Sequence, residues 1–286
     1  MNSDHYINRS IMDDIVKNLK EHANCIKTGF KDIDDLLGGG LKGGMLYILA
    51  SRPGIDRGTL AMNMMLKMMD EDIKIAYFSF ESTMEQVMTT LLLMKAKVDT
   101  KAVIDLTEED LAVIESAADE IAGADLIVID EARLDIDELI ENMLPIPEYQ
   151  ERDVIIIDDI QFFTAMIPDT GYELKNHEET LGYICRNLKM IAKSRNLPVI
   201  VLSQVDREVD QREDKRPALT DLRPASDLEY YADVVMFLYR DDHYNKNTEL
   251  RGIAEVIVAK NLWGRTGRCE LVHIPDYKAF VTIVRS

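Results

Sequence analysis

The chain is poor in cysteine, and it lacks a long apolar run. Its three cysteines, Cys25, Cys185 and Cys269, lie far apart, and no pair has the spacing of a metal site. So small and odd a number is typical of reduced thiols in the cytosol. No apolar run approaches the ~20 residues of a membrane span, and the first residues lack a signal-peptide core. We therefore expect a soluble cytoplasmic protein with no membrane partner, and we identify no metal-ligand cluster.

Positive charge is also scarce. The chain has 33 Lys and Arg against 52 Asp and Glu, a net charge of −19. This balance argues against a protein that coats nucleic acid, because such binding relies on neutralising phosphates with Lys and Arg. A local basic loop that lines a pore is still compatible with it. The 286 residues are enough for one large domain or two small ones.

Apolar segments alternate with helical patterns along most of the chain. Several of the apolar segments are continuous runs of Val, Ile and Leu, which is typical of parallel strands covered by helices on both faces. Strands are predicted at residues 45–50, 73–80, 126–129, 154–158, 198–203, 233–239 and 253–259. Helices are predicted at residues 59–70, 83–95, 107–122, 136–143 and 174–195. The shorter spacing after residue 233 indicates antiparallel strands, so we predict an α/β fold with a mostly parallel sheet and an antiparallel C-terminal part. Residues 204–227 are polar and without periodicity, which predicts a loop.

An amphipathic helix is predicted over residues 7–22. Its apolar positions recur at helical spacing among polar residues. The helix has two interpretations: it packs on its own domain, or it is an exchange arm that docks on a neighbouring subunit. Periodicity does not distinguish them.

The segment between the strand at 45–50 and the helix near 59 has the position of a phosphate loop. In a P-loop ATPase, G-x-x-x-x-G-K-[S/T] stands here, and its backbone N–H groups, lysine and hydroxyl hold phosphate and magnesium. In this chain Asp56, Arg57 and Gly58 occupy the glycine, lysine and hydroxyl positions. Aspartate repels phosphate, glycine offers magnesium no hydroxyl, and Thr59 lies one position too late. The candidate cofactor-binding residues are Ser51, Arg52, Pro53, Gly54, Asp56, Arg57, Gly58 and Thr59.

Three strands end in polar residues that suit the same chemistry. Asp158 ends a buried strand, where an α/β fold presents a carboxylate to a metal–phosphate ligand. Glu81 stands where a general base would polarise water, and Gln204 where a side chain would sense a γ-phosphate. Each also has a structural interpretation: Asp158 or Asp159 as a turn cap, Glu81 as a first-turn acid, and Gln204 as the start of a surface loop.

The order of these motifs resembles the RecA-like C-terminal motor domain of DnaB-type replicative helicases. The resemblance runs without interruption over about residues 26–284, so we expect a linker or exchange helix at 1–25 and a motor domain at 26–286. A separate N-terminal helical domain, as found in that family, has no counterpart in the sequence. The matching motifs include Thr28-Gly-Phe-Lys-Asp-Ile-Asp-Asp-Leu, Ala50-Ser-Arg-Pro, Phe78-Ser-Phe-Glu, Ile157-Asp-Asp-Ile-Gln, Leu202-Ser-Gln-Val-Asp-Arg-Glu, Asp214-Lys-Arg-Pro, Asp221-Leu-Arg, Ala232-Asp-Val-Val-Met-Phe-Leu-Tyr-Arg-Asp and Gly252-Ile-Ala-Glu-Val-Ile-Val-Ala-Lys.

The resemblance implies a hexameric ring that binds ATP and Mg²⁺ between subunits and moves on single-stranded DNA. It assigns Glu81 as the catalytic base, Asp158 as the magnesium-side carboxylate and Gln204 as the phosphate sensor. It also assigns Lys260 as a lysine that acts on the neighbour's nucleotide, and Arg223 as a DNA-backbone contact.

The departures from the family concentrate at this chemistry. Besides Asp56, Arg57 and Gly58, Leu262 occupies the position of the arginine finger, a group that contributes on the order of 10³–10⁵ in rate. Arg265 could substitute only if the hairpin changes register. Arg57 is bulkier than lysine, and charges such as Asp56 and Arg57 are expected to pair with each other or with neighbours. In the central loop, Pro224-Ala-Ser226 replaces the family's Glu-Ser-Gly. The substitutions argue against ATP hydrolysis and tight nucleotide binding.

Three functional hypotheses follow. The first is a non-hydrolysing DnaB-like paralogue that joins, loads, caps or inhibits a replicative helicase. The second is a divergent but active ATP-dependent helicase that uses Arg57 and Arg265 in new roles. The third is a purely structural protein. We expect a homo-oligomer, weak or concentration-dependent, held through the helix at 7–22, or an assembly with helicase subunits. Contact with single-stranded DNA is compatible with the first two hypotheses.

Overall fold

The computed structural model describes residues 25–132, 134–164, 177–222 and 226–283, together with Arg9, Met12, Asp13, Val16 and Lys17. These five residues have helical backbone and fall within the helix predicted over 7–22. The Arg9 guanidinium lies 3.0 Å from the Asp13 carboxylate, one turn away. The remainder of that predicted helix, and Arg223, lie outside the described residues.

Strands and helices alternate through the described chain. The strands are β1 (Cys25–Ile26), β2 (Leu41–Lys42), β3 (Leu46–Ser51), β4 (Ile75–Ser79), β5 (Leu126–Ile129), β6 (Leu134–Asp135), β7 (Val154–Asp158), β8 (Phe163–Thr164), β9 (Val199–Gln204), β10 (Val234–Arg240), β11 (Ile253–Asn261), β12 (Gly267–Ile274) and β13 (Ala279–Thr282). The α-helices are α1 (Lys31–Leu36), α2 (Arg57–Met69), α3 (Met84–Ala96), α4 (Glu108–Ala122), α5 (Ile136–Glu138), α6 (Pro147–Gln150), α7 (His177–Arg195), α8 (Ser226–Tyr231) and α9 (Asp241–Tyr244).

One nine-stranded sheet forms the centre, in the order β13-β12-β11-β10-β3-β9-β7-β4-β5. The strands from β10 to β5 in this order are parallel, and β11, β12 and β13 continue the sheet antiparallel. The prediction of a mostly parallel sheet with antiparallel C-terminal strands is confirmed. All seven predicted strands are present, with ends within two residues of the predicted ones.

Two apolar clusters cover the two faces of the sheet. Tyr47 and Leu49 of β3 belong to one cluster, with α2 and α3, while Leu46, Ile48 and Ala50 belong to the other, with α7. A strand buried on both faces cannot alternate polar and apolar residues, which explains the continuous apolar runs in the sequence. Within the described residues, no helix combines the length and apolar character needed to cross a membrane.

Two predicted segments differ from the structure. The helix predicted over 136–143 is the single turn α5 followed by a π-helical turn, Leu139–Met143. The loop predicted over 204–227 contains 3₁₀ helices at Arg207–Gln211 and Leu219–Leu222. The first is capped by Asp206, whose carboxylate accepts the Glu208 N–H at 2.9 Å. Side-chain caps of this kind order polar segments that show no apolar periodicity.

The turn before β3 requires glycine at position 43. A Cβ built on Gly43 would lie 2.2 Å from the Asn196 carbonyl oxygen. We therefore expect Gly43→Ala to lower the free energy of unfolding by about 1–3 kcal/mol, measured by urea denaturation. Gly123→Ala is the matched control, because its Cβ would make only ordinary contacts, the nearest at 3.5 Å. Equal stability of the two variants would contradict the steric argument.

Candidate functional site

The candidate site lies where the parallel strands end. Ser51 is paired with Gln204, and Ser79 with Asp158, so the carboxyl ends of four neighbouring strands meet at one edge. The loop of residues 52–56 starts at this edge and leads into α2. Glu81, which follows β4, is exposed there. The strand-end residues selected from the sequence are thus brought together by the topology of the sheet.

Asp56, at the glycine position of the predicted phosphate loop, is held by other side chains of the chain. Asp56, directly before α2, has φ 71° and ψ 39°, a left-handed conformation that glycine adopts without strain. Its carboxylate accepts a hydrogen bond from the Arg240 guanidinium at 2.5 Å. His273 Nε2 lies 3.4 Å from the same carboxylate oxygen. Burial, and then the charge of Arg240, lower the pKa of His273, so its imidazole is neutral at pH 7 and Arg240 supplies the counter-charge.

Arg57, at the lysine position, is engaged by the protein. Its guanidinium donates to the carboxylate of Asp159 in a short ion pair. The Arg57 side chain is 11% exposed and that of Asp159 is 0% exposed, so the pair is taken out of water. Asp159 also accepts the Gln161 N–H at 3.2 Å, which caps the turn after β7. Asp159 therefore has both expected roles: it caps the turn after β7, and it is the neighbour with which Arg57 pairs.

Asp158, the magnesium-side carboxylate of the resemblance, has a hydroxyl partner from an unexpected strand. The hydroxyl of the buried Tyr77 in β4 donates to Asp158 Oδ2 at 2.7 Å. Gly58 faces the same atom, because a Cβ built on it would lie 3.1 Å from Asp158 Oδ2. In a phosphate loop, a Ser or Thr hydroxyl for magnesium belongs at this position. Here Tyr77 bonds the carboxylate and Gly58 offers no hydroxyl.

Burial dominates the titration of this carboxylate pair. Desolvation raises the pKa of Asp159 to about 6, although the positive charge of Arg57 opposes the shift. Desolvation also raises the pKa of Asp158, against the Tyr77 hydrogen bond and Arg57, and the nearby negative charge of Glu81 adds to it. The pKa of Tyr77 rises well above its ordinary value for the same reason, so its hydroxyl remains a donor.

Arg52 connects the loop to the segment that follows β9. Its guanidinium contacts the Asp210 carboxylate at 2.9 Å and donates to the Val205 carbonyl at 3.2 Å. The Val205 N–H in turn donates to the Ser51 carbonyl at 3.1 Å. Gln204 is partly buried at this junction. These contacts anchor the loop on the segment that follows Gln204, the candidate phosphate sensor.

Lys260, Leu262 and Arg265 lie at the other end of the sheet. Lys260 pairs with Val235 near the start of β10, and its ammonium donates to the Glu229 carbonyl at 2.6 Å. Leu262 is 61% exposed in the hairpin between β11 and β12, and Arg265 is also exposed. Because β10 runs parallel to β3, this hairpin is remote from the loop of its own chain.

The residues present do not fit ATP with magnesium in the arrangement of a working phosphate loop. Arg57, Asp158 and Asp56 are bound to Asp159, Tyr77 and Arg240, and these partners were not selected as site residues from the sequence. In the described residues, no group of three or more His, Cys, Asp or Glu side chains is placed to hold a metal ion. Asp159 and Arg240 do lie within motifs of the resemblance, Ile157-Asp-Asp-Ile-Gln and Ala232-Asp-Val-Val-Met-Phe-Leu-Tyr-Arg-Asp, but neither motif predicts these pairings.

The buried Arg57–Asp159 ion pair predicts that removing the arginine alone destabilises the protein more than removing both partners. Arg57→Met leaves Asp159 as an unpaired buried carboxylate, so we expect a loss of about 3–5 kcal/mol in the free energy of unfolding. The double variant Arg57→Met with Asp159→Asn removes both charges, so its free energy of unfolding should fall far less. Arg52→Met is the control, because its partner Asp210 is 37% exposed. Additive losses in the double variant, measured by denaturant unfolding, would contradict the pairing.

The raised pKa of Asp159 predicts a pH dependence of stability. Between about pH 3.8 and 6 the folded chain retains a proton on Asp159 that the unfolded chain has released. Raising the pH through this window therefore lowers the free energy of unfolding of the wild type relative to Asp159→Asn. Urea denaturation of both proteins across the window measures the difference, in which contributions from acids remote from the pair cancel. Parallel curves for the two proteins would contradict the assignment.

Sequence comparisons identify relatives over almost the whole chain. The family model described as the DnaB-like helicase C terminal domain matches residues 25–282. The replicative DNA helicase DnaC of Bacillus subtilis is 32% identical over 94% of this chain and 59% of its own length. The replicative DNA helicase DnaB of Geobacillus stearothermophilus is 31% identical over 91% of this chain and 57% of its own length. The chain therefore spans less than two thirds of these relatives.

Solved structures agree with this result. The ATPase domain of G40P superposes with a TM-score of 0.85 at 27% identity, covering 97% of this chain and 100% of that one. A DnaB-like replicative helicase, whose structure was solved to describe its interactions with primase, gives 0.84 at 26% identity, covering 98% of this chain and 68% of that one. A KaiC-like protein of Pyrococcus horikoshii, at 15% identity and a TM-score of 0.60 over 91% of this chain and 99% of that one, shares the fold alone. The α/β core is thus RecA-like. The chain belongs to the DnaB-like helicase family, and it corresponds to that family's C-terminal domain.

Proposed function

We propose that this protein is a non-hydrolysing DnaB-like protein of DNA replication, which binds or modulates a replicative helicase assembly. In this proposal residues 26–286 form a motor-type domain whose nucleotide site is closed, and residues 1–25 form the linker to a neighbouring subunit. The soluble replication proteins that it resembles also support a cytoplasmic location.

One observation carries the proposal: the side chains at the nucleotide and magnesium positions are bonded to other side chains of the chain. Arg57 pairs with Asp159, Asp56 with Arg240, and Tyr77 donates to Asp158. Nucleotide binding in a P-loop arrangement has to break at least the Arg57 pair and leave Asp159 without its buried partner. Such a broken pair is strongly unfavourable. Leu262 supports the same conclusion, because a leucine cannot stabilise transferring phosphate from a neighbouring subunit.

The second candidate is a divergent, active ATP-dependent helicase. Glu81, Asp158 and Gln204 lie at one edge of the sheet, which favours this candidate. In the resemblance these are the positions of the catalytic base, the magnesium-side carboxylate and the phosphate sensor. In that case Arg57 leaves Asp159 to bind phosphate, and Arg265 serves as the finger. Arg223 and Lys260 would then contact DNA and the neighbour's nucleotide.

ATP turnover distinguishes the two candidates. We expect the full chain to release no more phosphate from Mg-ATP, with or without single-stranded DNA, than its Glu81→Gln variant. The physical reason is the absence of a free cation and a magnesium hydroxyl at the loop. DNA-stimulated turnover that Glu81→Gln abolishes would overturn the proposal in favour of the active helicase.

A restored loop provides the complementary control. Asp56→Gly, Arg57→Lys and Gly58→Thr together should produce binding of a fluorescent ATP analogue with Mg²⁺, because Gly58 faces Asp158 and the backbone at Asp56 already suits glycine. Arg57→Lys alone should not, since Asp56 and Gly58 remain. If the wild type binds as tightly as the triple variant, the loop is not closed in solution.

A further inference from the structure

An open groove lies beside α2. Its walls are α2, the end of α3 with the residue that follows it, and the turn between β12 and β13 with β13 itself. The groove encloses about 780 Å³. Ligand-binding cavities in proteins commonly have volumes of roughly 300–1,000 Å³. The groove is therefore large enough for a small organic molecule.

The interior of the groove is apolar. The buried side chains of Leu66, Met94 and Phe280 line it. Two further apolar side chains of the lining are exposed to water, Tyr277 by 40% and Val281 by 42%. Covering apolar surface of this kind is favourable, because water is released from it. The groove thus suits a molecule with an apolar body.

Hydrogen bonds and an ion pair hold the walls of the groove together. The Asn63 amide in α2 donates to the Lys278 carbonyl at 2.9 Å, and its oxygen accepts the Phe280 N–H at 3.2 Å. On the other side, the Lys101 ammonium lies 2.5 Å from the Asp276 carboxylate in the turn between β12 and β13. The walls are therefore in place before a ligand binds, which reduces the conformational entropy that binding costs.

The rim of the groove carries excess positive charge. Three lysines line it, Lys67, Lys95 and Lys97, against one acid, Asp70. Lys95 forms ion pairs with Asp70 at 2.6 Å and with Glu120 at 2.9 Å. Among the described residues, no carboxylate forms an ion pair with Lys67 or Lys97. The groove thus offers two cations to an anion, in a chain whose net charge is −19.

Lys67 is held at the groove by its surroundings. Its ammonium lies 5.1 Å from the centre of the Phe30 ring. Its stem packs against Gly29, where a Cβ would lie 2.2 Å from Lys67 Cδ. A contact with an aromatic ring leaves the ammonium charged. Because the side chain is already ordered, an anion that binds it causes little further loss of side-chain entropy.

We propose that this groove binds a small amphipathic acid, which has an apolar body and one carboxylate. The apolar body covers Tyr277, Val281 and Phe280, and the carboxylate lies at the lysine rim. Both halves of the ligand follow from the lining, since the interior is apolar and the unpaired charge of the rim is positive. None of the lining residues belongs to the loop of residues 51–59. The proposal is therefore independent of the proposed function.

The test uses the full chain, with decanoate as the probe acid and decyltrimethylammonium as its cationic counterpart, both below their micellar concentrations. Isothermal titration calorimetry should show saturable decanoate binding, and the cation should bind more weakly by about tenfold or more, because the rim repels it. Decanoate should also raise the midpoint of thermal unfolding, since it binds the folded chain. Titration of 1-naphthoate in parallel distinguishes an aromatic acid from an aliphatic one.

Two variants, each with a matched control, locate the site. Val281→Asp places a carboxylate in the groove and should weaken binding of the tighter acid by about tenfold or more. Val113→Asp should not, because Val113 is also 42% exposed but lies on α4 outside the groove. Lys97→Glu should weaken binding of the acid without weakening that of the cation. Lys246→Glu changes the net charge equally at an exposed position outside the groove, so it should have no effect.

Three results would overturn the proposal. They are the absence of saturable binding of either acid, equally tight binding of the cation, and acid binding that neither Val281→Asp nor Lys97→Glu weakens. Circular dichroism and thermal unfolding establish that each variant is folded. Lys97 is exposed, so Lys97→Glu tests the site even if Val281→Asp does not fold.

Discussion

The buried ion pair between Arg57 and Asp159 is the constraint on which the candidate site depends. Two charges removed from water require each other, because either one alone is unstable in the interior. The pair fixes the first turn of α2 against the end of β7, and it engages the Arg57 guanidinium within the chain. Arg240 likewise bonds Asp56, and Tyr77 bonds Asp158. The side chains at the expected phosphate and magnesium positions thus have hydrogen-bond partners within the chain.

The scaffold around this site does not require its chemistry. The strand order and register bring Ser51, Ser79, Asp158 and Gln204 to one edge whether or not a ligand binds there. The two apolar clusters that stabilise the sheet contain none of the loop's charged residues. A DnaB-like core can therefore persist while the residues of its phosphate loop change, since folding depends on the apolar faces and catalysis on a few strand-end side chains.

Charge is separated on a larger scale as well. Most of the net charge lies along one side of the sheet, while the hairpin near the other side combines cations with Leu262 and Trp263. The charge of the chain is therefore unevenly distributed between the two sides of the sheet.

The sequence alone determined the α/β architecture, the strand positions and the family, because buried strands require continuous apolar runs and the motifs occur in the family's order. It also located Asp56, Arg57 and Gly58 as substitutions in the phosphate loop. Only the tertiary structure decided where those side chains go. Tyr77 lies 81 residues from Asp158, Asp159 lies 102 residues from Arg57, and Arg240 lies 184 residues from Asp56. The sheet brings each pair into contact. The periodicity of a sequence predicts which face of a helix or strand is buried. Which side chains on different strands contact each other is decided by the packing of the folded chain.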